Sequence, residues 1–457
     1  MGRLRYEAAF LAAKLSVVAL KITRHKGTNY PGKLAIRLCP DFLRYVPRPE
    51  HILAVTGTNG KTTVSNLLCD LLEANGEPVL SNRYGSNINS GIATTLIAGA
   101  TLFGRCRYTQ AVLEVDERST PRIFPHVKPE TLVITNLFRD SIMRNAHPAY
   151  IADLLTKQIP ADTRLILNAD DLISSRVAPA NGRVYFGIGR LPTDTVECVN
   201  LINDMRICPK CHSALAYDYR RYHHIGRAHC TACDFVSPAC TYEGTEVDFD
   251  RMTMRVRDCG GEGSYALLSD SIFNVYNMVT AVAVLRERGL SHGEISALMA
   301  KCHIVSSRHN EERVGDVTLV MQMAKEKNAL ACSRAFDYVA HRSGEKEIML
   351  MMNCLGDAKH WSENVCWLYD CDFEFLRRDD IRCIVATGPR ASDYRLRLLL
   401  AGVAEEKIIC VRDEMEAAER LPFTAGDQIY LFYGTDSFVY AGKVREKLVK
   451  LAKEAAQ

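Results

Sequence analysis

The stretch that most constrains this chain is Val55-Thr56-Gly57-Thr58-Asn59-Gly60-Lys61-Thr62-Thr63. It follows an apolar run, His51-Ile52-Leu53-Ala54, that reads as a short buried strand. It precedes Val64 to Ala74, where apolar residues recur at helical spacing. A strand, a glycine-rich turn and a helix opening on Lys-Thr form a phosphate-binding arrangement, because backbone N–H groups and the helix N-terminus converge on the anion. Gly57 and Gly60 permit close backbone approach. Lys61 reaches the outer phosphates, and the hydroxyl of Thr62 is placed to hold Mg²⁺. In this reading Lys61 serves phosphate and not packing. The spacing Gly-x-x-Gly-Lys-Thr is tighter than the general phosphate-loop pattern.

The rest of the chain reads as α/β. Val79-Leu80, Ala111-Val112-Leu113-Glu114-Val115-Asp116-Glu117, Leu132-Val133-Ile134-Thr135-Asn136 and Leu165-Ile166-Leu167-Asn168 are short apolar strands separated by helical segments, as in a mostly parallel sheet. A strand that delivers Glu114 to its end beside a phosphate loop suits a second Mg²⁺ ligand. Val247 to Arg257 alternates like one strand, and Phe273 opens a helix running to about Arg288. From Val317 the pattern restarts, with strands at 317–323, 347–353, 382–387, 407–411 and 428–433 and helices between and after them. The expected domains are an N-terminal helical leader (1–48), a central ATP-binding domain (49–304) and a C-terminal Rossmann-like α/β domain (305–457).

Inside the central domain, at about 203–243, lies an insert. Cys208-Pro209-Lys210-Cys211 and Cys230-Thr231-Ala232-Cys233 form two CxxC turns separated by eighteen residues. Each turn sets two thiolates on one side of a knuckle, and two knuckles complete a tetrahedral zinc site with no open position, hence a structural Zn²⁺. Tyr217 to Tyr222 is expected to form the hairpin of such a ribbon.

Composition excludes some classes. A net charge of +3 over 457 residues gives no basic field for nucleic acid. Seventeen cysteines without a cleavable signal peptide point to the reducing cytoplasm rather than a disulfide framework. The run Leu4 to Ile22 is interrupted by Arg5, Glu7, Lys14 and Lys21, so it reads as a helix packed on the protein, with peripheral membrane contact at most.

The phosphate loop, Leu113 to Glu117, Thr135-Asn136, Asn168-Ala169-Asp170-Asp171 and Phe273-Asn274-Val275-Tyr276-Asn277 together resemble the ATP-dependent Mur ligase family. Gly27-Thr28 with Pro31-Gly32-Lys33, Asn136-Leu137-Phe138-Arg139-Asp140, the four-cysteine ribbon and Trp367 to Glu374 resemble its MurT branch. That resemblance implies an ATP-dependent ligase that forms an acyl phosphate. Its acceptor is the D-glutamate α-carboxyl of lipid II, a lipid-linked peptidoglycan precursor, and its nucleophile is ammonia from a GatD-type glutaminase partner. It also implies that Gly57, Thr58, Asn59, Gly60, Lys61, Thr62 and Thr63 hold ATP, with Asn274 and Asn277 facing the base and Arg308 contacting phosphate.

The chain departs from the branch in four places. Ser141 to His147, Lys325-Glu326-Lys327-Asn328-Ala329 and Gly434-Thr435-Asp436-Ser437 replace the usual residues. The aspartate that completes the partner's glutaminase site falls on Asn364, with Asp357 as a substitute if the loop is shifted. An amide cannot stabilise imidazolium as a carboxylate does. Two other functions therefore stay open: a Mur-like ligase acting on another carboxylate without a glutaminase, and a non-catalytic nucleotide-binding member.

Overall fold

The phosphate-loop strand lies in the middle of a large sheet. The structure, a computed structural model, describes all residues but 1, 24–26, 84, 140–146, 303–308, 325, 327, 354–364 and 457. It divides into two units. The first comprises Met1–Leu137, Pro148–Val199 and Asn203–Ile304. Its strands are β1 (His51–Thr56), β2 (Val79–Ser81), β3 (Gln110–Glu114), β4 (Thr131–Ile134), β5 (Arg164–Asn168), β6 (Arg183–Ile188), β7 (Leu215–Tyr222), β8 (Ile225–Cys230), β9 (Tyr242–Asp248), β10 (Thr253–Asp258) and β11 (Gly261–Ala266). Nine of them form one sheet in the order β11-β10-β9-β6-β5-β4-β1-β3-β2. Pairing is parallel from β2 to β9, and β10 and β11 run antiparallel at the edge. The chain runs from β1 to β2 and β3 on one side, then crosses to β4 on the other. The carboxyl end of β1 is thus a topological switch point, where open α/β sheets bind ligands.

Strands buried on both faces read as continuous apolar runs, and β1 is buried from Ile52 to Thr56. The helices Gly2–Ile22 and Tyr30–Leu38 belong to this unit. Tyr6, Phe10 and Phe42 share one core cluster with Ile52, Ile92 and Leu113, and the Tyr6 ring centroid lies 5.3 Å from that of Phe42.

One expected strand is two. Val247 to Arg257 breaks into β9 and β10, joined by a turn in which the Asp248 carboxylate accepts the Arg251 N–H at 2.9 Å. The apolar alternation changes phase across Asp250-Arg251, which a single strand could not accommodate. The edge strand β11 and the interior strand β6 were not expected at all.

The second unit comprises Phe138–His147, Asn200–Ile202 and Val305–Gln457. Its strands are β12 (His309–Val314), β13 (Val317–Met323), β14 (Lys346–Met351), β15 (Ile381–Thr387), β16 (Ile408–Val411) and β17 (Gln428–Tyr433). They form a sheet in the order β12-β13-β17-β14-β15-β16, antiparallel only at β12. The Trp367 to Glu374 segment is fastened by buried Arg397, which donates to the Leu368 and Cys371 carbonyls and to the Glu374 carboxylate at 2.7–2.9 Å. Two of the departures noted above meet here. Glu326 accepts the Thr435 N–H at 2.6 Å and the Thr435 hydroxyl at 3.1 Å.

Candidate functional site

Gly57 and Gly60 both take left-handed backbone angles, with φ of 124° and 88°. A Cβ on Gly57 would lie 2.3 Å from the Thr135 hydroxyl oxygen, and one on Gly60 would lie 2.4 Å from Asn277 Oδ1. Conformation and space therefore both exclude a side chain at these positions. The loop is held from behind by the end of β4. Thr58 N–H donates to the Asn136 carbonyl at 2.8 Å, and Asn59 N–H to Asn136 Oδ1 at 3.0 Å. The Thr135 hydroxyl and Asn136 Nδ2 donate to the Asn59 carbonyl at 2.7 and 3.1 Å. The helix Lys61–Ala74 then begins with Thr62 exposed and Thr63 half-buried, so its first turn faces outward.

Lys61 has a second task that sequence reasoning missed. Its ammonium pairs with Glu117 at 3.0 Å and also donates to the Gly57 carbonyl. Glu117 is buried and accepts the Gly57 N–H at 3.0 Å. Burial pushes its carboxyl up, and Lys61 opposes that rise without cancelling it. Lys61 therefore compensates a buried carboxylate as well as pointing its charge into the loop, which corrects the reading that it serves phosphate alone. The signal was present: Glu117 is the last carboxylate of the run after β3.

Glu114 ends β3, directly opposite Val55 in the parallel pairing with β1. Its carboxylate accepts Asn87 Nδ2 at 2.8 Å, and Asn82 holds its backbone from both sides. Asp116 instead caps the next turn, accepting the Arg118 N–H at 3.1 Å. Asn277 lies against Gly60 and donates to Asn274 Oδ1 at 3.2 Å, so both asparagines sit at the loop. Arg308, Asp357 and Asn364 lie outside the described residues.

The four cysteines of the insert converge. The Sγ atoms of Cys208, Cys211, Cys230 and Cys233 all lie within 4.8 Å of one another, with Cys208–Cys233 at 3.7 Å and Cys211–Cys230 at 3.4 Å. A tetrahedral thiolate site has edges of about 3.8 Å. The Lys210 and Ala232 N–H groups point at Cys208 and Cys230 sulfur at 3.4 and 3.3 Å. Hydrogen bonds from the Ser213 backbone and hydroxyl hold the Cys211 thiol down at about 6.

The hairpin β7–β8 above this cluster is wired into the helix that carries Asn274 and Asn277. Arg221 pairs with Asp194 at 2.7 Å and Asp170 at 3.4 Å, and also donates to the Tyr276 hydroxyl. Arg227 pairs with Asp170 at 2.8 Å, and Tyr276 donates to Asp170 at 2.7 Å. His224 bonds Asp171 at 3.1 Å, and Asp171 also accepts the Leu137 N–H at 2.7 Å. Burial pushes the Asp171 carboxyl up, but His224 and that N–H hold it below its ordinary value. Tyr276 directly precedes Asn277, so the hairpin steadies the helix Ile272–Glu287. The Arg221, Asp170 and Asp194 side chains are essentially inaccessible. Arg221→Met is therefore expected to destabilise the protein by about 3–5 kcal/mol, because buried Asp194 loses its cation and Asp170 is left with Arg227 alone. Chemical denaturation checks this, and adding Asp194→Asn should recover part of the loss.

Residues 55–189 match the Mur ligase middle domain and residues 326–435 the MurT ligase C-terminal domain. The chain is 31% identical over 421 residues to the MurT subunit of lipid II isoglutaminyl synthase (glutamine-hydrolyzing) from Staphylococcus aureus (strain COL), covering 91% of this chain and 92% of that protein. It is 29% identical to the MurT subunit from Streptococcus pneumoniae (strain ATCC BAA-255 / R6), covering 84% of each. In fold it is similar to a pseudomurein peptide ligase type C from Methanothermus fervidus, with a TM-score of 0.65, 20% identity and 90% and 81% of the two chains covered. It is also similar in fold to MurF from Acinetobacter baumannii, with a TM-score of 0.60, 16% identity and 91% and 80% covered.

Proposed function

Since the chain belongs to the MurT branch of the Mur ligase family, we propose that it is the ligase subunit of a lipid II isoglutaminyl synthase and amidates the D-glutamate α-carboxyl of that precursor. The observation that carries this is the likeness to MurT over nine-tenths of the chain, with a phosphate loop whose first helical turn is open. In the reaction a carboxylate oxygen attacks the γ-phosphorus of ATP and ADP leaves. Ammonia nitrogen then attacks the acyl carbon, phosphate leaves with the C–O bond, and nitrogen gives up a proton.

The chain's own residues fit their proposed parts. The loop amides and Lys61 draw the triphosphate towards the incoming anionic carboxylate. Asn277, adjoining Gly60, and Asn274, bonded to it, are proposed to face the base. The donor set suits Mg²⁺: an exposed Thr62 hydroxyl at the helix start and a Glu114 carboxylate oriented by Asn87. Bound there, Mg²⁺ neutralises phosphate charge. The four-cysteine cluster, at tetrahedral separations, is proposed to hold a structural Zn²⁺. Arg308 is proposed to contact phosphate.

We further propose that ammonia comes from a GatD-type glutaminase subunit. Asn364 favours a second reading, a ligase working without one, because an amide replaces the family's aspartate. One assay separates them. Purified protein with ATP, Mg²⁺, lipid II and ammonium chloride is expected to release ADP and convert the precursor to its amide, read by mass spectrometry. Amidation from glutamine with added GatD-type subunit supports the partnership. Amidation from ammonium alone favours the second reading. No amide from either nitrogen source overturns the proposed substrate.

A further inference from the structure

We propose that the outer face of the N-terminal helix, together with the turn at Leu102-Phe103, is a docking surface for an anionic phospholipid bilayer. The helix Gly2–Ile22 is apolar on two opposite sides. Tyr6, Ala9, Phe10 and Ala13 are buried in the core of the first unit. Leu4, Leu11, Leu15, Val18 and Ile22 are exposed, Leu4 at 81% and Ile22 at 76%. At helical spacing these five fall within about 60° of one another, a narrow outward stripe. An ordinary surface helix turns a polar face outward, and a continuous exposed apolar stripe marks an interaction site. The helix does not cross a membrane, since no described helix is long and apolar enough to do so.

A second feature adjoins it. The Lys14 ammonium donates to the Ala100 carbonyl, tying the helix to the turn that follows. That turn is closed by the Arg105 carbonyl accepting the Thr101 N–H at 2.7 Å and by the Thr101 hydroxyl oxygen accepting the Arg105 N–H at 3.0 Å. At its tip Phe103 is 94% exposed and Leu102 is exposed beside it. Arg3, Arg5, Arg105 and Arg107 are exposed within these two segments, whose sequences carry the one carboxylate Glu7.

Charge decides the occupant. Apolar residues accompanied by arginine fit an acyl boundary under anionic headgroups, where each cation adds attraction. A second copy of the chain would set the same arginines against each other. A lone protruding phenylalanine suits a headgroup layer better than a flat protein face. A lipid-linked precursor gives this surface a use, but bilayer contact needs neither precursor nor nucleotide and does not rest on the ligase reading.

The test is sedimentation of the full chain with vesicles of phosphatidylglycerol and phosphatidylcholine, free of precursor and ATP, against vesicles of phosphatidylcholine alone. The protein is expected to follow the anionic vesicles and to release partly in high salt. Leu11→Glu/Leu15→Glu and Phe103→Glu, all at exposed positions, are each expected to lower partitioning roughly tenfold or more without changing the melting temperature. No sedimentation of the wild-type chain, or equal sedimentation of wild type and both variants, overturns the proposal. So does a dimer seen by light scattering that the same variants dissolve while vesicle binding is absent.

Discussion

Lys61→Ala is expected to abolish ATP turnover and to make stability more dependent on pH. The first effect follows from losing a preorganised cation at the triphosphate, a loss of about 10³-fold. The second follows from Glu117. Its carboxyl already lies above the usual 4.5 because burial outweighs Lys61. In the folded state it therefore binds a proton that the unfolded chain has released, so stability falls as pH rises from about the unfolded value through the folded one. Without Lys61 the folded value moves further up and the window widens upward. Each added unit costs about 1.4 kcal/mol at pH values above the window. Denaturation at a series of pH values should show a steeper decline than wild type. Lys61→Ala/Glu117→Gln should flatten the decline and recover stability while turnover stays lost. Turnover at the wild-type rate in Lys61→Ala would refute the phosphate role. A stability curve parallel to wild type would refute the Glu117 coupling.

That pairing illustrates what the sequence could carry. The phosphate loop was legible because its chemistry is local: two glycines, a lysine and a threonine in nine residues, between a strand and a helix. The four cysteines were legible for the same reason, and their convergence to within 4.8 Å follows from two knuckles and one hairpin. Strands buried on both faces, such as β13 and β17, announced themselves by unbroken apolar runs. Edge strands did not. β11 is Gly261-Glu262-Gly263-Ser264-Tyr265-Ala266, with no apolar run to read, and β10 beside it showed only as the second half of the alternation from Val247 to Arg257. Long-range ion pairs were beyond reach altogether. Arg221 reads as one charge in a tyrosine-rich hairpin, and only the fold brings it to Asp170 and Asp194. Glu326 and Thr435 likewise read as two unrelated departures from the family, yet they bond each other, so one substitution accommodates the other.

Cys208→Ser carries the other large expected effect, on metal content and through it on the helix that carries Asn274 and Asn277. Four thiolates at tetrahedral separations gain on the order of 10–16 kcal/mol from a structural zinc ion, and a site with three loses most of that. Zinc measured on the purified variant is expected to fall from one ion per chain to nearly none, whereas Cys259→Ser, an exposed thiol outside the cluster, should keep it. The consequence spreads along the hairpin. β7 and β8 run from the cluster and their far end carries Arg221, His224 and Arg227, which pin Asp170, Asp171 and Tyr276. A hairpin freed at its knuckles holds these groups less firmly, and Asn277 follows Tyr276 on the same helix. The variant should therefore melt at a lower temperature and show a raised KM for ATP, with kcat less affected because Lys61 and Glu117 lie on other elements. An unchanged zinc content in Cys208→Ser would remove the metal from the cluster. Zinc loss with an unaltered KM for ATP would leave the ribbon metal-bound but uncoupled from the nucleotide.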